Sequence, residues 1–165
     1  MDAVDRILEQ WGAVRPDLDS SPVAVIGRLS RLSALVDRRL VENFARHDLE
    51  PWMYDVLATL RRSGEPYELT AGELLSQSMV TTGAITNRID RLEARGLVER
   101  APVPGDRRKV IVRLTPSGRA LVDEVVDGHL ATERTILEPL SSRQQADLAK
   151  LLRSLLLALD DRPPR

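Results

Sequence analysis

Apolar side chains recur every three or four residues along most of this 165-residue chain, which is the period of helices with one buried face. Proline, glycine and capping residues divide the pattern into segments. Helices are predicted over residues 3–14, 22–46 and 82–95, from Pro51 to near Gly64, from Thr115 and Pro116 to about Ile136, and from the capping sequence at 141–144 to about Leu159. A shorter helix is predicted to start at residues 70–73, which have the spacing of a capping box.

The pattern changes after Gly96, where residues 97–101 and 109–114 are predicted to be two strands. The charged segment 102–108 is predicted to be the loop that joins them. Two short helices joined by a tight turn and followed by a two-stranded ribbon are typical of a winged helix-turn-helix. The predicted fold is therefore mainly α with a small β-hairpin, in a single domain over residues 1–165. Within it, the winged helix-turn-helix is expected over 51–114, and a helical dimerisation region over 1–46 and 116–160.

The predicted helix over residues 82–95 has two faces at 100° per residue. Ile85, Ile89 and Leu92 lie together and are expected to point into the protein. On or near the far side lie three side chains that can hydrogen-bond base edges or phosphates, namely Thr86, Asn87 and Arg91. A phosphate is favoured near the start of this helix, at Ser78, Thr81 and Thr82. At the predicted tip of the ribbon, two side chains are expected to enter a minor groove, namely Arg107 and Arg108.

Basic residues are concentrated in the same part of the chain. The whole chain carries 24 Lys and Arg against 25 Asp and Glu, a net charge of −1. Residues 76–113 hold eight basic and four acidic side chains, so this stretch is +4 and the rest of the chain is −5. A basic face on an acidic protein is typical of a surface that binds phosphate, so double-stranded DNA is the predicted partner. Chance clustering on a solvated surface is the alternative.

Other classes of function find little support in the sequence. The chain has no cysteine, which excludes disulfides and cysteine zinc sites, and we expect no metal and no cofactor. No apolar run approaches the ~20 residues that span a bilayer, and no secretory signal is visible, so we expect a cytoplasmic protein without membrane contact. His47 and His129 lie in separate helical regions without a catalytic motif, so we expect no enzyme and no catalytic residues. Three interpretations of His47 are open, namely a capping residue, a packing residue or a pH sensor.

A winged helix that binds protein rather than DNA is a further alternative. Such a domain would lack a basic wing and a polar helix face directed at a groove. Arg107, Arg108, Thr86, Asn87 and Arg91 therefore argue against it.

Three stretches resemble the multiple-antibiotic-resistance regulator (MarR) family. Residues 80–100 look like its recognition helix and first wing strand, GDRRK at 105–109 looks like its wing signature, and LTPSG at 114–118 looks like the start of its next helix. The resemblance covers about residues 20–158. It implies an obligate homodimer with intertwined terminal helices, which binds a palindromic DNA site near its own gene.

The last predicted helix supports a dimer independently of the resemblance. Leu151, Leu155 and Leu159 lie on a different side of this helix from a second set of leucines, at 148, 152 and 156. A terminal helix cannot bury both sets against one small core, so a partner surface is expected. A helix sandwiched inside the monomer is the alternative.

Trp11, residues 16–19 and the pair Gly27 and Arg28 resemble the urate-responsive subgroup of the MarR family, which has an extra first helix. The resemblance implies a ligand site at four matching positions, which are Trp11, Asp55, Arg88 and Arg100. A related subgroup keeps similar residues but responds to small polycarboxylates such as aconitate or citrate. The predicted effector is therefore a small anion, either a urate-like purine or a polycarboxylate.

The residues themselves give partial support to this site. Arg88 flanks the buried face of its helix, and a partly buried arginine needs an acidic or anionic partner. Asp55 is one such partner, and a planar anion that stacks on Trp11 is another. The alternatives are that Trp11 only anchors the first helix, that Asp55 is an early-turn residue favoured by the helix dipole, and that Arg88 contacts phosphate.

Overall fold

The computed structural model describes residues 1–77, 85–103 and 106–161, with the backbone alone at residue 103 and at 106–109. Its helices are α1 (Ala3–Val14), α2 (Ser21–Ala45), α3 (Pro51–Arg62), α4 (Ala71–Gln77), α5 (Ile85–Ala94), α6 (Pro116–Leu137) and α7 (Ser142–Ala158). The strands are β1 (Glu68–Thr70), β2 (Val98–Val103) and β3 (Asp106–Leu114). The predicted helices are thereby confirmed over the described residues, and residues 78–84, which include the first three of the helix predicted over 82–95, lie outside the described residues.

The chain divides into two compact units, residues 1–41 and 42–165. In the first unit, α1 begins with a capping box in which Asp2 and Asp5 satisfy each other's backbone N–H groups. Arg28 of α2 donates to Asp2 at 2.8 Å and to Asp5 at 2.5 Å. A Cβ on Gly27 would lie 3.4 Å from the buried Val4. Gly27 and Arg28 therefore join α2 to α1, which gives both residues a structural role.

The core of the second unit is built from the inner faces of several elements. α3 contributes Val56, Leu57 and Leu60, all fully buried. The other fully buried apolar side chains of this unit come from α4, α5, the two long strands and α6, namely Leu74, Ile89, Leu92, Val98, Val112, Val122 and Val125. Ile89 and Leu92 pack α5 against the rest of the unit. The opposite side of the helix stays in solvent.

The sheet has three antiparallel strands in the order β1, β3, β2. The sequence predicted only a hairpin, and β1 was missed because three residues are too few to show a period of two. Leu69 pairs with Val112 of β3, and Arg100 of β2 pairs with the same residue from the other side. The contacts divide the chain into two compact units. The single domain with a DNA-binding and a dimerisation region stays a prediction.

The prediction of a loop over 102–108 was wrong at both ends. β2 continues to Val103 and β3 begins at Asp106, so the backbone of Arg107 and Arg108 is strand rather than loop. The register pairs Val103 with Asp106. Pro102 does not end β2, because β2 lies at the edge of the sheet, where a missing N–H group is tolerated.

Helix ends follow the predicted signals. Gly64 after α3 and Gly96 after α5 have φ values of +83° and +66°, a conformation that side chains with a Cβ rarely adopt. The Thr70 hydroxyl oxygen accepts from the Glu73 N–H group at 3.2 Å, and the Thr70 N–H group donates to the Glu73 carboxylate at 2.8 Å, which confirms the capping box before α4. Thr115 caps α6 by accepting from the Gly118 N–H group at 3.0 Å.

Helix α7 has no buried residue, although its sequence is rich in leucine. Leu151 is 64% exposed and Leu159 is 80% exposed. Packing inside the monomer was the alternative explanation for these leucines, and the exposure of α7 does not support it. In the part of the chain that the structure describes, no helix is both long enough and apolar enough to cross a membrane.

Candidate functional site

Helix α5 separates its buried and exposed residues as the sequence predicted. Ile89 and Leu92 are buried, while Thr86, Asn87 and Arg91 are exposed on the other side. The strands β2 and β3 follow directly, so the exposed face of α5 and the two-stranded wing belong to one continuous segment. This arrangement can place a helix in a major groove beside a ribbon at the flanking backbone.

The other predicted DNA contacts are described only in part. Ser78, Thr81 and Thr82 lie outside the described residues. Arg107 and Arg108 lie in β3 near its first residue, and only their backbone is described. Their roles toward DNA therefore stay predictions.

Arg91 is held by two residues that the sequence did not single out. Its guanidinium group pairs with the Glu50 carboxylate and lies 4.8 Å from the centre of the Trp52 ring. The Trp52 Nε1–H group donates to Glu50 Oε2 at 2.7 Å. The hydrogen bonds from Trp52 and then from Arg91 lower the pKa of Glu50 below its ordinary value. Glu50 is therefore ionised at neutral pH.

Arg88 lies over the same indole ring, with its guanidinium carbon 5.5 Å from the centre. Its Nη1 atom is buried and has no hydrogen-bond partner among the described residues. A buried N–H group without an acceptor costs free energy, so this atom favours an anionic or carbonyl oxygen. We call Glu50, Trp52, Arg88 and Arg91 the α3–α5 cluster. No spacing rule could have found it, because Glu50 and Arg91 are 41 residues apart.

Arg100 of β2 binds the acidic residues of α5. Its guanidinium group lies 2.5 Å from Asp90 and 2.5 Å from Glu93, and its backbone N–H group also donates to Glu93. A longer bond of 3.3 Å reaches the carbonyl oxygen of Thr86. Partial burial lowers the pKa of Arg100, but the hydrogen bonds to Asp90 and Glu93 outweigh it, so the pKa is raised. Arg100 therefore fixes the first wing strand to α5.

The four predicted ligand residues are thus only partly accounted for. Arg88 belongs to α5, and Arg100 contacts α5 from β2. Asp55 is half-buried on α3, its carbonyl oxygen accepts from Thr59 at 2.7 Å, and the residue has a further interaction of its own. Trp11 belongs to the first compact unit and is 46% exposed. A common ligand site for these residues stays a prediction.

The histidines form no site in the described residues. His47 Nδ1 lies 3.8 Å from Glu124, and His129 Nε2 lies 3.2 Å from Glu133 one turn along α6. His129 also packs against Phe44 and Tyr54, with ring centres 5.5 Å and 4.7 Å away. Within the described ranges no group of three His, Asp or Glu side chains has the arrangement of a metal site.

Comparison with known proteins agrees with this geometry. The model of the MarR family matches residues 47–109. PecS of Dickeya dadantii (strain 3937), an HTH-type transcriptional regulator, is 44% identical over 149 residues, which is 90% of each chain. The multiple antibiotic resistance protein MarR of Escherichia coli (strain K12) is 32% identical over 79% of this chain and 88% of its own.

Two solved structures share the fold at related sequence. A cysteine-to-serine mutant of MarR from E. coli, complexed with operator DNA, has a TM-score of 0.71 and 28% identity over 88% of this chain and 97% of that chain. BpsR of Bordetella bronchiseptica has a TM-score of 0.71 and 27% identity over 79% of this chain and 91% of that chain.

These relatives regulate transcription and are not enzymes, which confirms the expectation that this chain is not an enzyme. The predicted winged helix-turn-helix is confirmed by the shared fold. The identity to PecS and MarR extends over most of the chain, and the family model covers the part that holds α5, β2 and the start of β3. The chain belongs to the MarR family of DNA-binding transcriptional regulators.

Proposed function

We propose that this protein is a dimeric repressor that reads a palindromic operator with the helix predicted over residues 82–95, of which α5 is the described part. The observation that carries the proposal is the exposure of Thr86, Asn87 and Arg91 on a helix that buries Ile89 and Leu92. A helix with this polar face hydrogen-bonds base edges and phosphates in a major groove. The two copies in a dimer would meet half-sites about one helical turn apart, ~34 Å.

The wing supplies the second part of the proposed interface. Arg107 and Arg108 would enter the flanking minor groove, and Ser78, Thr81 and Thr82 would hold phosphates near the start of the recognition helix. Arg107 and Arg108 lie near the first residue of β3, only a few residues after positions 104–105, which join the two strands in sequence. Each phosphate that an arginine neutralises makes the affinity more sensitive to salt.

The terminal helices supply the proposed dimer surface. α7 exposes leucines on more than one side, and α2 also carries exposed apolar side chains, among them Val25, Ile26, Leu32 and Leu35. Apolar surface of this extent is removed from water when two copies associate. A dimer also explains how one small winged helix reads a palindrome.

The proposed effector is a small anion that binds at Arg88. The Nη1 atom of Arg88 is buried without an acceptor among the described residues, and the Trp52 ring lies beside the same guanidinium group. A planar anion offers oxygen atoms for bidentate bonds to guanidinium and a face for stacking. In BpsR, a relative with the same fold, DNA binding is regulated by 6-hydroxynicotinic acid, a planar acid. Asp55, Arg100 and Trp11 are the further residues that the urate-responsive subgroup implies.

Binding at Arg88 would act on DNA affinity through the recognition helix itself. Arg88 belongs to α5, and Arg100 holds that helix to the wing through Asp90 and Glu93. An anion that draws Arg88 or Arg100 toward itself changes the position of α5 relative to the wing. The ligand then stabilises the DNA-free form, which is a coupling between two sites and suits a repressor.

Fluorescence anisotropy tests this proposal with labelled DNA from directly upstream of the protein's own gene. Saturable binding that urate reverses supports both the regulator and a purine-like effector. Reversal by citrate alone keeps the arginines and changes the effector to a polycarboxylate. Binding that neither anion reverses removes the proposed effector and leaves the DNA-binding proposal, whereas no specific binding at low salt contradicts both.

Arg88 and Arg91 provide a matched pair of variants, because both lie over Trp52 and only Arg88 has the buried nitrogen without an acceptor among the described residues. Arg88→Ala is expected to weaken release by the effector by at least tenfold in effector concentration, equivalent to about 1.4 kcal/mol, while DNA affinity changes less. Arg91→Ala is expected to weaken DNA binding and to keep the effector response. If Arg88→Ala loses DNA affinity and still responds to the anion, Arg88 is a DNA contact.

A further inference from the structure

The α3–α5 cluster places an acidic side chain on the arginine that is proposed to reach DNA. Glu50 precedes the first residue of α3, and its carboxylate pairs with Arg91 on the exposed face of α5. Trp52 donates its Nε1–H group to the other carboxylate oxygen of Glu50. The carboxylate is thus oriented by one neighbour and neutralised by the other.

We infer that Glu50 is a positioning residue that competes with operator phosphate for Arg91 and thereby sets the DNA affinity. The inference rests on the proposed contact between Arg91 and DNA. A carboxylate and a phosphate both accept from a guanidinium group in the same bidentate manner, so Arg91 cannot give its full set of donors to both. In the DNA-free protein, Glu50 Oε1 already accepts from Nη2 of Arg91, which is one of the donors that phosphate would take.

The surroundings of the pair allow Arg91 to leave. Half of each side chain is exposed, and the pair lines a cavity of about 490 Å³ together with Leu49, Met53 and Arg95. An exposed ion pair contributes little free energy, so phosphate on a highly charged duplex can displace it. Trp52 keeps contact with the guanidinium plane at 4.8 Å, which limits the directions in which Arg91 can turn.

Glu50 also affects Arg88 through charge. The Arg88 guanidinium lies over the same indole ring as Arg91, and its positive charge contributes to keeping Glu50 ionised. Removal of the Glu50 charge therefore takes the ion-pair partner from Arg91 and one nearby negative charge from Arg88. The change is local, because the side chain is exposed and its shape is kept by glutamine.

The test compares wild type with Glu50→Gln, Arg91→Ala and the double variant. Each is titrated with the labelled upstream DNA at several salt concentrations. Glu50→Gln is expected to bind about two- to fivefold more tightly. The slope of log affinity against log salt is expected to become steeper by about 0.9, as for one further phosphate contact. The gain is expected to vanish when Arg91 is alanine.

Asp48→Asn is the matched control for the loss of one negative charge. Asp48 lies two residues before Glu50 and pairs with Arg95, at 3.4 Å, instead of Arg91. It has a φ of 53°, which asparagine adopts readily, so the variant keeps the backbone. Asp48→Asn is expected to leave the salt slope unchanged. Thermal melts of all variants show whether each one is folded.

Two results overturn the inference while the proposed function stands. One is a Glu50→Gln protein that binds no more tightly than Asp48→Asn, and the other is a gain that persists in the Arg91→Ala background. If Arg91→Ala binds DNA as tightly as wild type, Arg91 does not contact DNA and the inference loses its basis. Failure of every protein in the set to bind at low salt overturns the proposed function itself.

Discussion

Arg100 links the first wing strand, β2, to α5 through two ion pairs. Its guanidinium group joins Asp90 and Glu93, which lie three residues apart on one side of α5. Without Arg100, these two carboxylates would repel each other across one turn of the helix. The residue therefore stabilises α5 and also fixes the first wing strand in place.

Arg100→Ala is expected to lower the free energy of unfolding by about 1–2 kcal/mol after allowance for solvent screening, because it leaves two part-exposed carboxylates without their partner. Denaturant titration measures this loss. Arg15→Ala is a matched control, since Arg15 pairs with the exposed Asp17 two residues away, and no measurable loss is expected there. Equal stability of the two variants would show that the Arg100 contacts contribute no more than an ordinary surface pair.

The limits of prediction from sequence are clearest at this scale. The exposure of Asn87 followed from the helical period, because a residue two positions away lies almost opposite the buried Ile89. The pairing of Glu50 with Arg91 joins residues on two different helices, and no local pattern records such a contact. A charged residue next to a helix start is too common to indicate its partner.

At the scale of elements, the junction between α5, β2 and α6 is closely packed. Thr115 donates to the Gly96 carbonyl oxygen at 2.7 Å and caps α6 through the Gly118 N–H group. A Cβ on Gly118 would lie 1.9 Å from the carbonyl oxygen of Leu97. The LTPSG sequence at 114–118 thus needs glycine at its last position, since the backbone of the preceding turn occupies the space.

Gly118→Ala is expected to lower the free energy of unfolding by about 2–3 kcal/mol or more, because the contact is with backbone that cannot rotate away. Gly72→Ala in α4 is the control in the same unit, since nothing lies within 4 Å of the added Cβ. That variant is expected to be unchanged or more stable by up to ~1 kcal/mol. Chemical denaturation compares the two, and a Gly118→Ala protein as stable as Gly72→Ala would contradict the packing described.

Elements were predicted from sequence where capping and period agreed. The helix starts at Pro51 and Ser141 had a proline or capping signal followed by an apolar stripe, and the start at Thr70 had the spacing of a capping box. The strand β1 had neither, since it is three residues long and depends on pairing with β3. The beginning of β3 was missed because the charged residues 106–108 suggested a loop, although pairing with β2 extends the strand through them.

The whole molecule exposes two surfaces of different chemistry, the leucines of α7 and the polar face of α5. The leucines lie in solvent in the single chain and require a partner surface, which we propose is a second copy. The polar face requires no protein partner, because Thr86 and Asn87 are open to water and Arg91 is paired with Glu50 of the same chain. The same chain therefore exposes an apolar surface on α7 and a polar surface on α5, which we propose serve association and DNA recognition.

The sequence could predict that one surface is apolar and the other polar. It could not predict the operator sequence or the effector. Leucines on two sides of one helix indicate association whatever the partner is. The operator sequence and the effector depend on contacts between copies and on the exact positions of side chains such as Arg88, which no spacing rule fixes. The resemblance to a urate-responsive subgroup supplies residue types, and the same arginines suit several anions.

One measurement tests the central proposal, that a dimer reads DNA with α5. Wild type and Asn87→Ala are titrated into labelled upstream DNA and into random-sequence DNA at matched salt. We predict saturation at one dimer per site, and a loss of about 1–3 kcal/mol in affinity for the upstream DNA in the variant, with binding to random DNA nearly unchanged. Equal affinity of both proteins for both DNAs would contradict the proposal that α5 reads sequence.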